Sequence, residues 1–221
     1  MRILAASDIH GVRAVYEWLV RSAQSGIDAV VLAGDLLASD FEDEQRKSAR
    51  VLVQQFRSIP VPVLYIMGND DNVSLGCDDD HVIPLHGRKC HVGNFSFVGY
   101  QFTPPFVGYA FVKPEEEIAA DLAQYNSLIS DDTILVTHTP AFGHCDLSFG
   151  ENCGSPAVAA LLERRPALAH IHGHIHHQFG RSQNHFNVAA AGLCRAMIIE
   201  LPSRKHSVIA AAANLVWTDL P

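Results

Sequence analysis

No C-x-x-C pair occurs among the five cysteines Cys77, Cys90, Cys145, Cys153 and Cys194. The chain therefore offers neither a paired disulfide framework nor the ligand spacing of a structural zinc ribbon. A reducing compartment fits this usage, and the expected location is cytoplasmic. Basic residues are also scarce: 16 Lys and Arg stand against 24 Asp and Glu, for a formal net charge of -8. Binding to nucleic-acid backbones or anionic membranes needs clustered cations, so neither polymeric nucleic acid nor a membrane is an expected partner. A small molecule is the expected substrate. Long apolar runs are missing as well. Arg2–Ala6 reaches Asp8 too soon for the core of a signal peptide, and Val208–Trp217, read as a buried strand and tail, is far short of the roughly 20 residues a spanning helix needs. Finally, there is no Walker-type phosphate loop, no G-x-G-x-x-G after the first strand, where Ser7-Asp8-Ile9-His10-Gly11 stands instead, and no G-x-S-x-G elbow.

What is present is a core-forming chain of 221 residues, 48% of them hydrophobic, enough for one domain spanning residues 1–221. Short apolar runs alternate with helix-period segments through the first half, the texture of β-α-β units with parallel strands. Strands are predicted at Ile3–Ala6, Ala29–Ala33 and Val61–Met67. Between the first two, Val12, Val15, Tyr16, Leu19, Val20 and Ala23 recur at helical spacing, and Gly26 offers a left-handed stop. A second helix is announced by Ser39 and Asp40 as caps and by acidic Glu42, Asp43 and Glu44, and should end near Ser58. From Asp78 to Tyr109 the texture becomes β-like, with Gly93-Asn94 as a turn between His91-Val92 and Phe95–Val98, and with Asp78-Asp79-Asp80 as a solvated turn. A third helix begins near Pro114, with Ile118, Leu122, Tyr125 and Ile129 as its buried stripe. Thr133–Thr137 reads as a strand, Ser155-Pro156 starts a helix through Leu162, and Ala167–Ile171 is a further strand. From Gly180 to Val208 the pattern is that of β-hairpins, with apolar stretches at Val188–Ala191 and Ala196–Leu201.

Chemistry-bearing residues gather at the ends of these strands: Asp8 and His10, Asp35, Asn69 with Asp70, His138, then His174 and His176. In open α/β sheets the loops at strand carboxyl ends share one crevice, so such residues are natural ligand suppliers. Asp8 and His10, two apart on an extended segment, are expected to point the same way, as are His174 and His176. Carboxylate, imidazole and amide oxygen are the ligands that Mn, Fe and Zn ions accept, which points to metal-assisted hydrolysis.

In order, Asp8-Ile9-His10, Gly34-Asp35, Gly68-Asn69-Asp70-Asp71, Thr137-His138 and Gly173-His174-Ile175-His176 resemble the motifs of the calcineurin-like metallophosphoesterase superfamily. The likeness runs from Asp8 to beyond His176. It implies an α/β fold, a four-layer αββα sandwich of two mixed β-sheets flanked by helices. It also implies two divalent metal ions (Mn, Fe or Zn), one held by Asp8, His10, Asp35 and His176, the other by Asp35, Asn69, His138 and His174. Asp35 would bridge them, a hydroxide shared by both ions would attack phosphorus in line, and the substrate would be a small phosphate ester. Asp35, Asn69, Asp70 and His138 would form the catalytic group. Thr137–Asp146 with Cys153-Gly154-Ser155 is similar to a branch of small metallophosphoesterases that includes brain-expressed fetal-type proteins of animals, whose members differ in what they hydrolyse.

One position departs from the superfamily. A histidine is usual after the Gly-Asn pair, as proton donor or phosphate contact, and Asp70 stands there. A carboxyl group with an ordinary pKa near 3.9 is a poor acid at neutral pH. Substrates with acidic leaving groups suffer less from a missing donor, so a phosphodiester, in particular one derived from a nucleotide, is favoured over a phosphomonoester. His144 and His86 are alternative donors. Of the remaining histidines, His177 is read as pointing away from His174 and His176, and His170, His172, His81, His91, His185 and His206 as structural or solvated. The aromatic Gln101–Phe111 segment is read as a packed surface loop, with a lid or a subunit contact as the alternatives. A second class of function, a metal-poor protein-binding scaffold on the same fold, would be recognised by ligand loss, and all seven expected ligands are present.

Overall fold

The computed structural model describes residues 1–38, 41–105 and 110–211. The first half alternates strand and helix: β1 (Arg2–Ala6), α1 (Arg13–Ser22), β2 (Ala29–Ala33), α2 (Glu42–Arg57), β3 (Val63–Ile66) and β4 (Val82–Pro84). The middle comprises β5 (Lys89–Val92), β6 (Phe95–Tyr100), α3 (Glu115–Ala123), β7 (Thr133–Thr137), the short pair β8 (Leu147–Ser148) and β9 (Glu151–Asn152), and α4 (Pro156–Arg164). The rest is β: β10 (Ala169–His172), β11 (Gly180–Ser182), β12 (His185–Asn187), β13 (Arg195–Glu200) and β14 (Lys205–Ala210).

Two mixed sheets result, ordered β14-β13-β1-β2-β3-β4 and β11-β12-β10-β7-β6-β5. Side chains alternate across each strand, so every central strand feeds two layers. Ile3, Ala5, Val31 and Ile66 of the first sheet meet Phe97, Ile134, Ile171 and Phe186 of the second in an apolar layer between them. On the far face of the first sheet, Leu4, Val30 and Leu32 are covered by Val15 and Leu19 of α1 and by Leu52 and Phe56 of α2. On the far face of the second, Val98, Tyr100 and Leu135 pack under Ile118 and Leu122 of α3 and Val158 and Leu161 of α4. This is the expected αββα sandwich.

Local expectations hold with a few corrections. Ser155 caps α4 by accepting from Val158 N at 3.1 Å, with Pro156 in the first turn. Ser39 and Asp40, the expected caps of α2, lie outside the described residues, as do Phe106–Tyr109 and residues 212–221. The expected strand from Val61 to Met67 is shortened to β3, because Pro60 and Pro62 have no N–H to give to a ladder. Ile129 is buried but follows α3, whose end tightens into a 3₁₀ turn at Gln124–Ser127. Val188–Ala191 makes only the bridge Ser7–Ala189, since Ala191 and Gly192 turn left-handed and divert the chain before β13. Asp79 in the acidic run is more than solvated: it accepts from His81 N and Val82 N and pairs with Arg57 at 2.8 Å.

Candidate metal centre

The carboxyl ends of β1, β2, β3, β7 and β10 converge on one rim. Four residues there, Asp8, His10, Asp35 and His174, have φ between 50° and 69°, a left-handed conformation that costs non-glycine residues energy and clusters at functional sites. This replaces the expected geometry for both pairs two apart. Asp8 and His10 are aimed by successive left-handed turns, and His174 is left-handed just before a 3₁₀ turn over His176–Gln178, so extended alternation directs neither pair.

Asp8 is fully buried and heavily solicited. Ser7 Oγ donates to it at 2.5 Å, His174 N reaches both its oxygens at 3.1 Å, and His176 Nε2 lies 3.1 Å from Oδ1. Burial opposes its ionisation, but the His176 hydrogen bond and the His138 and His176 charges outweigh burial and hold Asp8 well below the ordinary carboxylate range. Asp35, also buried, is likewise lowered: burial pushes it up and His138 pulls it down further. Asp70 N donates to Asp35 Oδ1 at 2.9 Å.

His138 Nδ1 donates to the Ala33 carbonyl at 2.7 Å. That bond turns Nε2 toward the carboxylates, 3.2 Å from Asp35 Oδ2, although without the alignment of a hydrogen bond. Burial would discharge this ring, yet Asp35 and Asp8 raise it to about 10. Opposite it, the His174 ring lies edge-on to His138 with centroids 5.2 Å apart. Burial and the His138 charge lower His174 to about 4, so it is neutral.

Among the described residues, three sets of donors gather within 4.8 Å: Asp8, His10 and His176; Asp8, Asp35 and His138; and His10, Asp35 and Asp70. Asp70 is thus brought into the donor cluster, with Oδ2 3.5 Å from His10 Nδ1. Asn69 Oδ1 is buried and, among the described residues, accepts no hydrogen bond, as is true of His138 Nε2. Buried polar atoms left this way cost free energy unless something fills them, and a divalent cation is what this donor set suits.

The other candidate donors are placed elsewhere. His144 stacks on His185 with centroids 3.8 Å apart, and His86 sits between Tyr100 and Phe102. His177 points away and bonds the Leu147 carbonyl at 2.8 Å. His170 and His172 lie on β10, fully buried.

Several supporting residues escaped the sequence reading. Asp71, fully buried, accepts from Leu36 N, Leu37 N and Gly68 N, tying the loop after β2 to the loop after β3. Burial and the Asp35 charge raise it to about 7. Buried Gln45 of α2 donates to the Ala38 and Asp70 carbonyls and accepts from Asn72 N. Arg195 of β13 donates to the His176 and Ala189 carbonyls while lying over the Phe179 ring. Their only sequence signal was the second acid of Asn69-Asp70-Asp71. Gly68 and Gly173 are required by close approach: a Cβ on the first would overlap Asp35, and on the second would overlap Ser7 and Asp8.

The profile of the calcineurin-like phosphoesterase family matches residues 1–178. The chain belongs to that family. Calcineurin-like phosphoesterases are hydrolases of phosphate esters, and the Asp and His cluster is a site able to hold metal. Among this family member's relatives is UPF0046 protein K07C11.7 of Caenorhabditis elegans, 28% identical over 120 residues. That match covers 52% of the chain and only 40% of the worm protein, so the chain matches less than half the length of that curated relative. A solved structure, TT1561 of Thermus thermophilus, superimposes with a TM-score of 0.70 at 18% identity, covering 95% of this chain and 98% of that one. The phosphopantetheinyl hydrolase of Mycobacterium tuberculosis superimposes with a TM-score of 0.53 at 18% identity, covering 85% and 88%. At such identities the likeness is one of fold. No helix of the described residues is long and apolar enough to cross a membrane.

Proposed function

We propose that this family member is a phosphodiesterase working with two divalent cations, manganese, iron or zinc. Asp8, His10, Asp35 and His176 would hold one, and Asp35, Asn69, His138 and His174 the other. The observation that carries this reading is the overlap of the donor sets: Asp8, His10 and Asp35 each belong to two of the three, and Asp35 Oδ2 lies 3.2 Å from His138 Nε2. When bound, such ions polarise phosphoryl oxygens and acidify water near neutral pH.

The chain's own residues do the rest. The Ala33 carbonyl, accepting from Nδ1, fixes the ring of His138 so that Nε2, on giving up its proton, would face a bound cation. Asp71 and Gln45 fix the loops that carry Asp35, Asn69 and Asp70, which sets donor positions before any ligand arrives. Asp70 is engaged with His10 and Asp35 rather than set apart as an acid. With no histidine after Asn69, the site lacks the usual means of protonating a basic leaving group, which favours diesters with acidic leaving groups. With manganese supplied, bis(p-nitrophenyl) phosphate should be cleaved faster than p-nitrophenyl phosphate. The reverse order would make the protein a phosphomonoesterase.

A further inference from the structure

His138 and His176 are aimed by different means. The His138 ring is fixed from behind through Nδ1, whereas the polar contacts that the described residues make with the His176 ring are at Nε2: Asp8 Oδ1 at 3.1 Å and His10 Nε2 at 3.3 Å. The His176 side chain is 44% exposed, and it stands on a 3₁₀ turn of three residues, His176–Gln178, that has no side-chain cap. A single turn of that kind has little stability of its own. The aim of His176 therefore rests on what holds its backbone.

Two side chains hold it. Buried Asn187 at the end of β12 donates Nδ2 to the Ile175 carbonyl at 3.0 Å, and Arg195 at the start of β13 donates Nη2 to the His176 carbonyl at 3.0 Å. Consecutive carbonyls are thus gripped from the second sheet and from the first. Both side chains also take hold of Ala189: Asn187 Oδ1 accepts from its N–H at 3.0 Å, while Arg195 Nε and Nη2 donate to its carbonyl at 3.1 and 2.9 Å. Ala189 in turn bridges Ser7, whose Oγ donates to Asp8. One residue therefore connects the strand end that carries Asp8 with the turn that carries His176. The guanidinium is kept in place by the Phe179 ring, 4.5 Å away. A planar fork of donors can serve two carbonyls at once in this fixed way, and the point charge of a lysine cannot.

We infer that Arg195, seconded by Asn187, is a positioning residue that sets the separation of Asp8 and His176 so that both meet one cation. The inference rests on the two-cation reading above, in which these two residues hold the same ion. Arg195 acts through the His176 backbone, with its own donors spent on carbonyls.

Arg195→Met and Arg195→Lys separate the fork from the charge. In manganese titrations of the full chain followed by electron paramagnetic resonance, the unchanged protein should fill two sites and give the broad signal of a spin-coupled pair. In both variants one site should weaken about 10–100-fold, the cost of losing an outer partner of a ligand, and at limiting manganese the hyperfine signal of an isolated ion should replace the coupled one. A general loss of structure would weaken both sites together, and an effect of charge alone would spare Arg195→Lys. Either of those results, or two unweakened sites in Arg195→Met, overturns the inference.

Hydrogen exchange in the metal-free proteins separates the inference from the reading beneath it. Gln178 N donates to the Ile175 carbonyl at 3.0 Å, and in Arg195→Met its exchange should quicken about tenfold, the scale of one lost hydrogen bond, while Val136 in the core of β7 keeps its rate. If the unchanged protein bound no manganese, the two-cation reading would fall, and quicker exchange at Gln178 would still uphold the hold of Arg195 on the His176 turn. Unaltered exchange at Gln178 would overturn that hold whether or not manganese binds.

Discussion

A buried histidine at the end of β7 and three on the adjoining strands β10 and β12 of the second sheet are in opposite charge states. His138, at the end of β7, faces Asp35 and Asp8 and is raised to about 10. His170 and His172 on β10 and His185 on β12 are burdened by burial and by one another. His172 is held to about 3 and His185 to about 4. Burial is equal for His138 and His170, so the carboxylates make the difference. Among the three the hydrogen bonds run one way. Thr137 gives its proton to the Thr139 carbonyl and accepts from His170 Nε2 at 2.7 Å, so His170 Nδ1 must accept from His185 Nδ1 at 2.9 Å. His170 and His185 thus form a neutral, hydrogen-bonded pair that is scaffolding, while the Nε2 of neighbouring His172 is buried without a hydrogen bond among the described residues. Histidines facing carboxylates, with buried donor atoms to spare, are a place for cations.

The largest effect that would break this contrast comes from removing the shared carboxylate. Asp35→Asn should lower kcat/KM by more than the roughly 10–100-fold that loss of an outer partner of a metal ligand costs. Activity close to that of the unchanged protein would remove Asp35 from the centre. Next is Asp71→Ala, which strands three buried N–H groups at roughly 1–3 kcal/mol for each that finds no water. Denaturant unfolding should show the loss, and an unaltered midpoint would mean that the brace is dispensable.

A smaller effect sharpens the histidine network. Because His185 is depressed when folded, the unfolded chain binds its proton first, and the stability it contributes is present above about 6.5 and lost as pH falls toward about 4. Unfolding free energies measured at pH 7 and pH 5 should therefore differ more in the unchanged protein than in His185→Phe. Equal differences would show that the network does not resist protonation. The smallest change is expected on the surface. Lys47→Ala breaks a 2.6 Å pair with Glu44 on α2, and exposed pairs of this kind are worth at most about 0.5 kcal/mol. A larger loss would blur the line drawn between buried and exposed electrostatics.

Much of this was legible in the chain itself. Apolar runs such as Ala29–Ala33 and Thr133–Thr137 match β2 and β7 residue for residue, because strands buried on both faces leave no polar interruption to misread. The order Asp8, Asp35, Asn69, His138, His174 was visible because each residue ends a strand. Their aim was not. Periodicity assumes regular backbone, and Asp8, His10 and His174 leave it for left-handed φ. Nor could spacing reveal Gln45 reaching Asp70 across 25 residues or Arg195 reaching His176 across 19. Such contacts depend on how sheets and loops stack, which no local pattern encodes.

Metal content tests the central claim most directly. Inductively coupled plasma mass spectrometry on protein equilibrated with manganese and then desalted should find close to two ions per chain, and a sharply reduced content in Asp35→Asn. A chain that holds no ion under those conditions would contradict the account, whatever its fold.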